Sequence, residues 1–469
     1  MPTLKYGNNA LLTLPTRITT PSICIQKDGD HWYVPLFSGN AGSVVQSGDY
    51  NYTLGGLKIG IYRASIDREE VVNVEVVDIY VFSNDSTTWI LTSKGDLYGC
   101  GRNRYGNQGS GDNADVLTFT KRAENVKEVS CSEYTTWYID NNNDLYGCGY
   151  NEYGQQGSGD TDNVLTFTKR AENVKEVSCT NDITWYIDTS NNLYGCGYNT
   201  YGQQGSGASG DSASVLTFTK RAENVKEVIC NDYITWYIDN NGELYGCGRS
   251  TYGQQGSGAS GDSANVLTFT KRAENVKEVS CSEYTTWYID NNGDLYGCGR
   301  NSFGEQGSGT SGDSANVLTF TKRAENVKEV SCSEYVTWYI DNNGELYGCG
   351  DNSFGEQGSG NTTKVKTFTK RAENVKTVSC SYSTTWYIDN NGDLYGCGRN
   401  RSGQQGSGGT RDIKTFTKRA ENVKTFSCPK TTTWYIDTSN NLYGCGYNTY
   451  GQQGSGDTSD VKTFTKREL

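Results

Sequence analysis

The most conspicuous reactive side chains in the sequence are its 16 cysteines. Eight stand in Gly-Cys-Gly (Cys100, Cys148, Cys196, Cys247, Cys298, Cys349, Cys397, Cys445). Seven end an alternating apolar segment (Cys131, Cys179, Cys230, Cys281, Cys332, Cys380, Cys428), and Cys24 stands alone. None has Cys-x-x-Cys spacing and no histidine accompanies them, so the pattern does not describe a zinc site. They read as small buried hydrophobes kept as free thiols. Ser83 replaces one cysteine of the first unit and leaves Cys100 without its repeat partner. The single histidine, His31, lies outside everything that repeats, which removes most histidine-dependent catalysis. No carboxylate pair recurs at a fixed spacing, so no enzyme, cofactor or metal is expected. The tract Asp290-Asn291-Asn292-Gly293-Asp294 resembles a calcium loop but lacks the far Glu, and another copy reads Asp188-Thr189-Ser190-Asn191-Asn192. A tight hairpin accounts for it better. Eight Lys-Arg pairs, such as Lys121-Arg122 and Lys271-Arg272, form a basic stripe partly neutralised by Glu124 and Glu274. Their expected role is to keep outer strands from pairing edge to edge. With a net charge of −12, nucleic acid is not an expected partner.

The elements that position these residues follow from a period. Leu-Tyr-Gly-Cys-Gly begins at Leu97, Leu145, Leu193, Leu244, Leu295, Leu346, Leu394 and Leu442, in steps of 48 or 51 residues. Within one unit, Val126–Cys131, Thr136–Ile139, Leu145–Gly149 and Thr166–Lys169 each read as a strand, and no helical period is present. Asn-Gly at 292–293 and 391–392 supplies the hairpin turn between the second and third. Four antiparallel strands per unit describe a propeller blade. The expected fold is all-β: an eight-bladed β-propeller over residues 67–469, preceded by a small N-terminal β module, residues 1–66. That module holds four of the five prolines and no copy of the repeat. The tryptophans from Trp89 to Trp434 are expected between blades. Phe-Thr-Lys-Arg also occurs eight times, and the last copy, at Phe464, either completes the eighth blade or returns to clasp the first.

Near-identical copies are informative where they differ. Ala-Glu-Asn is invariant in seven linkers, whereas the segment after Cys131 and its equivalents and the long loop after Gly-Cys-Gly both vary. In an antiparallel blade these two variable loops emerge on one face. The residues directly after Gly-Cys-Gly are Arg102, Tyr150, Tyr198, Arg249, Arg300, Asp351, Arg399 and Tyr447. As exposed Arg and Tyr side chains on a variable face they are the candidate partner-binding set. Arg249 and Arg300, from adjacent units, would offer two guanidinium groups to one acidic or glycan ligand, with Tyr198 beside them as a stacking surface.

The run from Leu145 to Gly157, Leu-Tyr-Gly-Cys-Gly-Tyr-Asn-Glu-Tyr-Gly-Gln-Gln-Gly, resembles the signature of the regulator of chromosome condensation repeat family of β-propellers, and the resemblance covers about 400 of the 469 residues. Cys148 stands where that family usually has Trp, Gln156 where it has Leu and Thr135 where it often has His. Eight units stand where seven are more common. The resemblance implies an intracellular exchange factor or regulatory scaffold. Exchange in the founding member depends on a wedge inserted in one blade, and units of 48 to 51 residues leave no room for one.

A second reading weighs composition more heavily. The chain is rich in Tyr, Asn, Gly, Thr and Ser, shows no secretion signal and has no apolar run of membrane-spanning length. A bacteriophage virion component, of tail or head fibre, reconciles these features. It would be made in the host cytosol and displayed on the virion surface, with residues 1–66 bound to other virion proteins and the variable face binding a host-surface glycan or protein. This is the preferred expectation, with a cytoplasmic scaffold lacking exchange activity as the alternative. Neither includes membrane insertion.

Overall fold

A computed structural model describes residues 77–469, apart from the Asp211 side chain, and of residues 1–76 only the backbone of seven strands. Asp30–Pro35, Ser22–Lys27, Gly60–Ile66 and Glu70–Val76 form one sheet in that order, and Ala10–Thr13 and Val44–Ser47 flank Asn51–Leu54 in another. The expected attachment role of residues 1–66, with His31 and Cys24, lies outside the described residues.

From Ile79 onward the chain folds into eight four-stranded antiparallel sheets, each made of four consecutive strands. Blade 1 covers residues 79–123, blade 2 126–171, blade 3 174–222 and blade 4 225–273. Blades 5 to 8 cover 276–324, 327–372, 375–420 and 423–467. The reason the segments become strands is clearest in blade 2. Its second strand, Thr135–Asp140, is β-branched and aromatic and buried along its whole length, as a central strand covered on both faces should be. Trp137 lies opposite Gly147. A Cβ on Gly147 would sit 2.4 Å from the indole, so glycine here makes room for tryptophan. The hairpin that follows closes on Asp140, whose Oδ1 accepts the amides of Asn142 at 2.9 Å and Asp144 at 2.8 Å. The equivalent Asp290 does the same for Asn292 and Asp294, which occupies that carboxylate in the turn itself.

First strands of neighbouring blades pack on one another, including that of blade 8 on blade 1, and so surround a central axis. Each tryptophan from Trp89 to Trp434 is fully buried against the next blade: Trp137 meets Phe218 edge-on at 5.8 Å, within a cluster of Ile139, Leu145, Val174, Val177 and Tyr186. Truncating one such ring costs about 3–5 kcal/mol. Thiols seal the same interfaces, with Cys196 Sγ donating to the Gln155 carbonyl of the preceding blade at 3.3 Å. All fifteen described cysteines are free.

Val461–Arg467 pairs with Leu442–Gly446, so the C-terminal strand completes blade 8 and does not return to blade 1. The ring closes with the kinds of contact found at the other interfaces. Trp434 meets Phe119 at 6.1 Å, and Thr118 bridges Ser455 as Thr166 bridges Ser110. Cys100 Sγ donates to the Gln452 carbonyl at 3.4 Å.

Two expectations are corrected by packing. Only the lysine of each Lys-Arg pair is a surface charge: Lys121 pairs with Asp96 at 2.8 Å and Glu124 at 2.6 Å. Arg122 is half-buried. The constancy of Ala-Glu-Asn also has a backbone cause. Asn125 and its six equivalents have φ between 56° and 63°, a left-handed conformation that Asn tolerates better than most residues.

Candidate functional site

The variable turn between the first and second strands has a common construction. Its first residue is a turn-former: Asn84 Oδ1 accepts the amides of Ser86 and Thr87 at 2.9 Å, and Asn231 Oδ1 those of Tyr233 and Ile234 at 3.0 and 3.1 Å. In blades 2 and 5 a serine does this work, Ser132 bonding Thr135 and Ser282 bonding Thr285. The middle residue is left to face the axis. Around the eight blades it reads Asp85, Glu133, Asn181, Asp232, Glu283, Glu334, Tyr382 and Lys430. Five are carboxylates. All of these but Glu133 rim a cavity of about 590 Å³ at the mouth of the axial channel, lined by Asp85, Asp232, Glu283, Glu334, Tyr382 and Lys430 and reaching down to Cys281 and Cys332.

The carboxylates are each held from one side. Glu133 pairs with Arg102 at 2.8 Å, Glu283 with Arg249 at 3.2 Å, and Glu334 with Lys430, two blades away, at 3.6 Å. Asp85 and Asp232 accept the amides of Thr431 and Asn181 in the adjacent blades, at 3.2 and 3.1 Å. Burial raises the carboxyls of Asp85 and Glu283, and it takes Asp182 to about 7 with help from the charges of Asp232 and Glu152. A rim of this kind favours a cationic group, which restores what desolvation removes. Among the described residues no group of His, Cys, Asp and Glu side chains is arranged to hold a metal.

The third residue of each turn joins this rim to the eight residues nominated from sequence. The amide of Arg102 donates to Ser86 O, that of Tyr150 to Tyr134 O, that of Arg300 to Tyr284 O, and the other five repeat the bond. The two variable loops therefore meet on one face. Tyrosines carry the contact between blades: Tyr105 lies 5.3 Å from Tyr134 and 4.7 Å from Tyr150, and Tyr153 4.8 Å from Tyr198. Exposure differs from expectation. Arg300 and Asp351 are each only 7% exposed, and the other six are intermediate. Arg300 lies 3.9 Å over Tyr284 and 4.8 Å over Tyr335. Its Nε pairs with buried Glu305 at 2.8 Å, and its terminal nitrogen donates to Glu334 O at 2.5 Å. Arg249 lies over Tyr201 and Tyr233, and Tyr198 packs at a tilt against Tyr153. The two arginines are clamps within the face, not a free guanidinium pair.

The glycine- and asparagine-rich signature is architectural. Asn151 Oδ1 accepts the Gln156 amide at 2.8 Å while its Nδ2 donates to Ser158 Oγ at 2.9 Å, and Gln156 Nε2 donates to Cys148 O at 2.9 Å. The regulator of chromosome condensation (RCC1) repeat profile matches residues 126–155, 276–305 and 375–404, which span the first three strands and this loop in blades 2, 5 and 7. The chain carries regulator of chromosome condensation repeats. A mouse regulator of chromosome condensation is 26% identical to this chain over 135 residues, 28% of the chain and 32% of that protein. The mouse X-linked retinitis pigmentosa GTPase regulator is 28% identical over 167 residues, 32% of the chain and 16% of its length. The matched stretches thus span about a third and a sixth of these curated relatives. Prp20p of Saccharomyces cerevisiae, studied for its binding to Gsp1p and histones, shares the fold with a TM-score of 0.57 at 17% identity, over 72% of this chain and 90% of that one.

These relatives are mouse and yeast regulators, and they overturn the virion reading and with it the host-surface ligand and virion partners. The composition behind that reading has a structural origin. Asn and Gly supply the left-handed positions of every blade, and Tyr138 and its equivalents stack on a second tyrosine at about 4.8 Å.

Proposed function

We propose that the chain is a non-catalytic regulatory scaffold of the cytoplasm, a propeller that holds a protein partner on the face bearing the acidic mouth. The observation behind this reading is a cavity of about 590 Å³ rimmed by carboxylates of the first-to-second turns, to which the long loops are joined by backbone hydrogen bonds. In this reading six of the nominated residues, Arg102, Tyr150, Tyr198, Arg249, Arg399 and Tyr447, would form a partly buried platform outside the mouth, with the buried Arg300 and Asp351 supporting it. A lysine- or arginine-bearing segment suits the rim, since its charge offsets the repulsion among the carboxylates and its aliphatic stem lies on tyrosine faces. Protein binding by Prp20p favours a protein partner. Units that vary only between 48 and 51 residues favour a scaffold without exchange activity.

The test uses a lysine-rich peptide as probe, with binding read by fluorescence anisotropy. Glu283→Gln with Glu334→Gln should weaken it at least about tenfold, as loss of close charge partners does. Glu124→Gln with Glu172→Gln, on the opposite face, should leave it unchanged. Equal losses in both double variants would sink the assignment of the site.

A further inference from the structure

The opposite end of the channel carries the reverse charge. The second residue of the innermost strand is lysine in seven consecutive blades: Lys127, Lys175, Lys226, Lys277, Lys328, Lys376 and Lys424. All are exposed. Blade 1 breaks the series with Tyr80. The innermost strands surround the axis, so these side chains form an incomplete ring at the mouth remote from the acidic one. They are close: Lys277 Nζ lies 3.5 Å from Lys328 O, and Lys328 Nζ 2.8 Å from Lys376 O.

Charge pairing separates this ring from the other lysines. On the outer strands Lys121, Lys169, Lys271, Lys322, Lys370 and Lys418 each have two carboxylates within 2.8 Å. Of the ring, only Lys424 makes an ion pair among the described residues, with Asp78 at 2.7 Å. The next residue along the strand is glutamate in blades 2 to 6, but it turns into the seam between blades. Glu329 Oε1 accepts the Val378 amide at 3.1 Å and the Thr377 hydroxyl at 2.9 Å. Blade 7 has Thr377 in that position, so no carboxylate follows Lys376 in its strand.

We propose that this ring, centred on Lys277, Lys328 and Lys376, is a binding site for a compact polyphosphate anion seated over the axis. Ammonium groups suit such a ligand because they act as point charges and need no fixed fork geometry. Ammoniums of adjacent blades repel one another at low salt, and an anion bearing several phosphates relieves that repulsion at each of them at once. A net charge of −12 over the whole chain opposes anion binding elsewhere, which confines it to the ring and makes it steeply salt-dependent. The site is independent of the protein-binding face.

Inositol hexakisphosphate titrated into the whole protein by calorimetry is the probe. Saturable binding near one equivalent is expected, weakened at least about tenfold in Lys277→Gln/Lys328→Gln/Lys376→Gln, with a flatter salt dependence as ammonium contacts are lost. The outer-strand control Lys121→Gln/Lys169→Gln/Lys418→Gln should bind as the parent does. If the axial triple variant does not fold, Lys328→Gln and Lys376→Gln are measured singly, each expected to lose about threefold. No saturable binding, equal loss in both triple variants, or a short DNA duplex displacing the probe at lower concentration than inorganic tripolyphosphate does would each overturn the proposal.

Discussion

Arg300→Ala is the sharpest probe of the variable-loop face, because it separates a buried clamp from an exposed contact. Truncation leaves the Glu305 carboxylate, 0% exposed, with only the Phe303 amide at 2.7 Å. Stranding one member of a buried pair costs about 3–5 kcal/mol, and the lost stacking on Tyr284 and Tyr335 lies within that figure. Arg249→Ala removes a pair whose partners remain 18% and 23% exposed and should cost about 1 kcal/mol or less. Blades 2 to 4 carry Gln155, Gln203 and Gln254 where blade 5 has Glu305, and each donates from Nε2 to the axial turn of the next blade, Gln254 to Glu283 O at 3.2 Å. The equivalent acceptor in blade 5 is Glu334 O, which Arg300 now occupies. Glu305→Gln in the Arg300→Ala background should therefore recover most of the loss, leaving about 1–2 kcal/mol of missing cation–π contact. Urea unfolding followed by tryptophan fluorescence reads all four proteins. If Arg300→Ala falls within about 1 kcal/mol of Arg249→Ala, or if Glu305→Gln fails to rescue it, the arginine is not the clamp described here.

Glu356 supplies a pH test. It is almost wholly buried, its neighbour is Asp351 where blade 5 has Arg300, and burial, reinforced by Asp351 and Asp412, raises its carboxyl to about 7. Because the folded state holds this proton to higher pH than the unfolded chain, the associated stability is present below about 4.5 and is lost as pH rises through about 7. Glu356→Gln should remove a loss of about 3 kcal/mol between pH 5 and 8, visible as a flatter unfolding-midpoint profile; an unchanged profile would contradict the burial assignment. The thiols give a second test: burial raises Cys131 to about 12 and Cys179, Cys332 and Cys428 to about 11. Alkylation of the native protein at pH 8 should be slow at these positions and complete only in denaturant, and rapid native labelling of them would refute it.

Much of the fold was legible because the repeat is nearly exact. The 48- and 51-residue steps, the strand chemistry and the hairpin turns together specify eight four-stranded units, and the three extra residues of the longer units form one 3-10 turn, as at Asp262–Ala264. The phase was not legible, since either cut of a cyclic repeat leaves four strands per unit. The pairing of Gly444 with Thr465 decides it. In the site, the common face of the two variable loops follows from antiparallel connectivity. The burial of Arg300 does not, because arginine is ordinarily solvated; its sequence signal is the co-occurrence of Glu305 at a position where most blades have Gln. The axial carboxylates escaped notice because each variable turn was read as one undivided surface. Aligning the turns isolates Ser, Thr or Asn as the usual turn-former and brings Asp85, Glu133, Asp232, Glu283 and Glu334 into register behind it. The constancy of Ala-Glu-Asn has a cause that a comparison of copies does not display, since a left-handed Asn is not free to drift.

Completion of blade 8 by its own C-terminal strand has a mechanical consequence. A propeller whose ends share a blade is laced shut, and force on its ends must unzip the hydrogen bonds of the shared sheet. Here the junction of blades 8 and 1 is a side-chain seam, with Trp434 on Phe119 and Ser427 Oγ 2.8 Å from Ser83 Oγ. The described connections at it include the isolated bridge of Thr118 to Ser455, the backbone hydrogen bond from Gly456 to Leu117 O, the ion pair of Lys424 with Asp78 and side-chain hydrogen bonds such as that of Gln452 to Asp85 O. Tension between the termini therefore loads an apolar contact in a direction that parts it, and the ring opens as a washer does when split, with both terminal blades intact. The next element to yield is a whole blade, so extension proceeds in steps of one repeat.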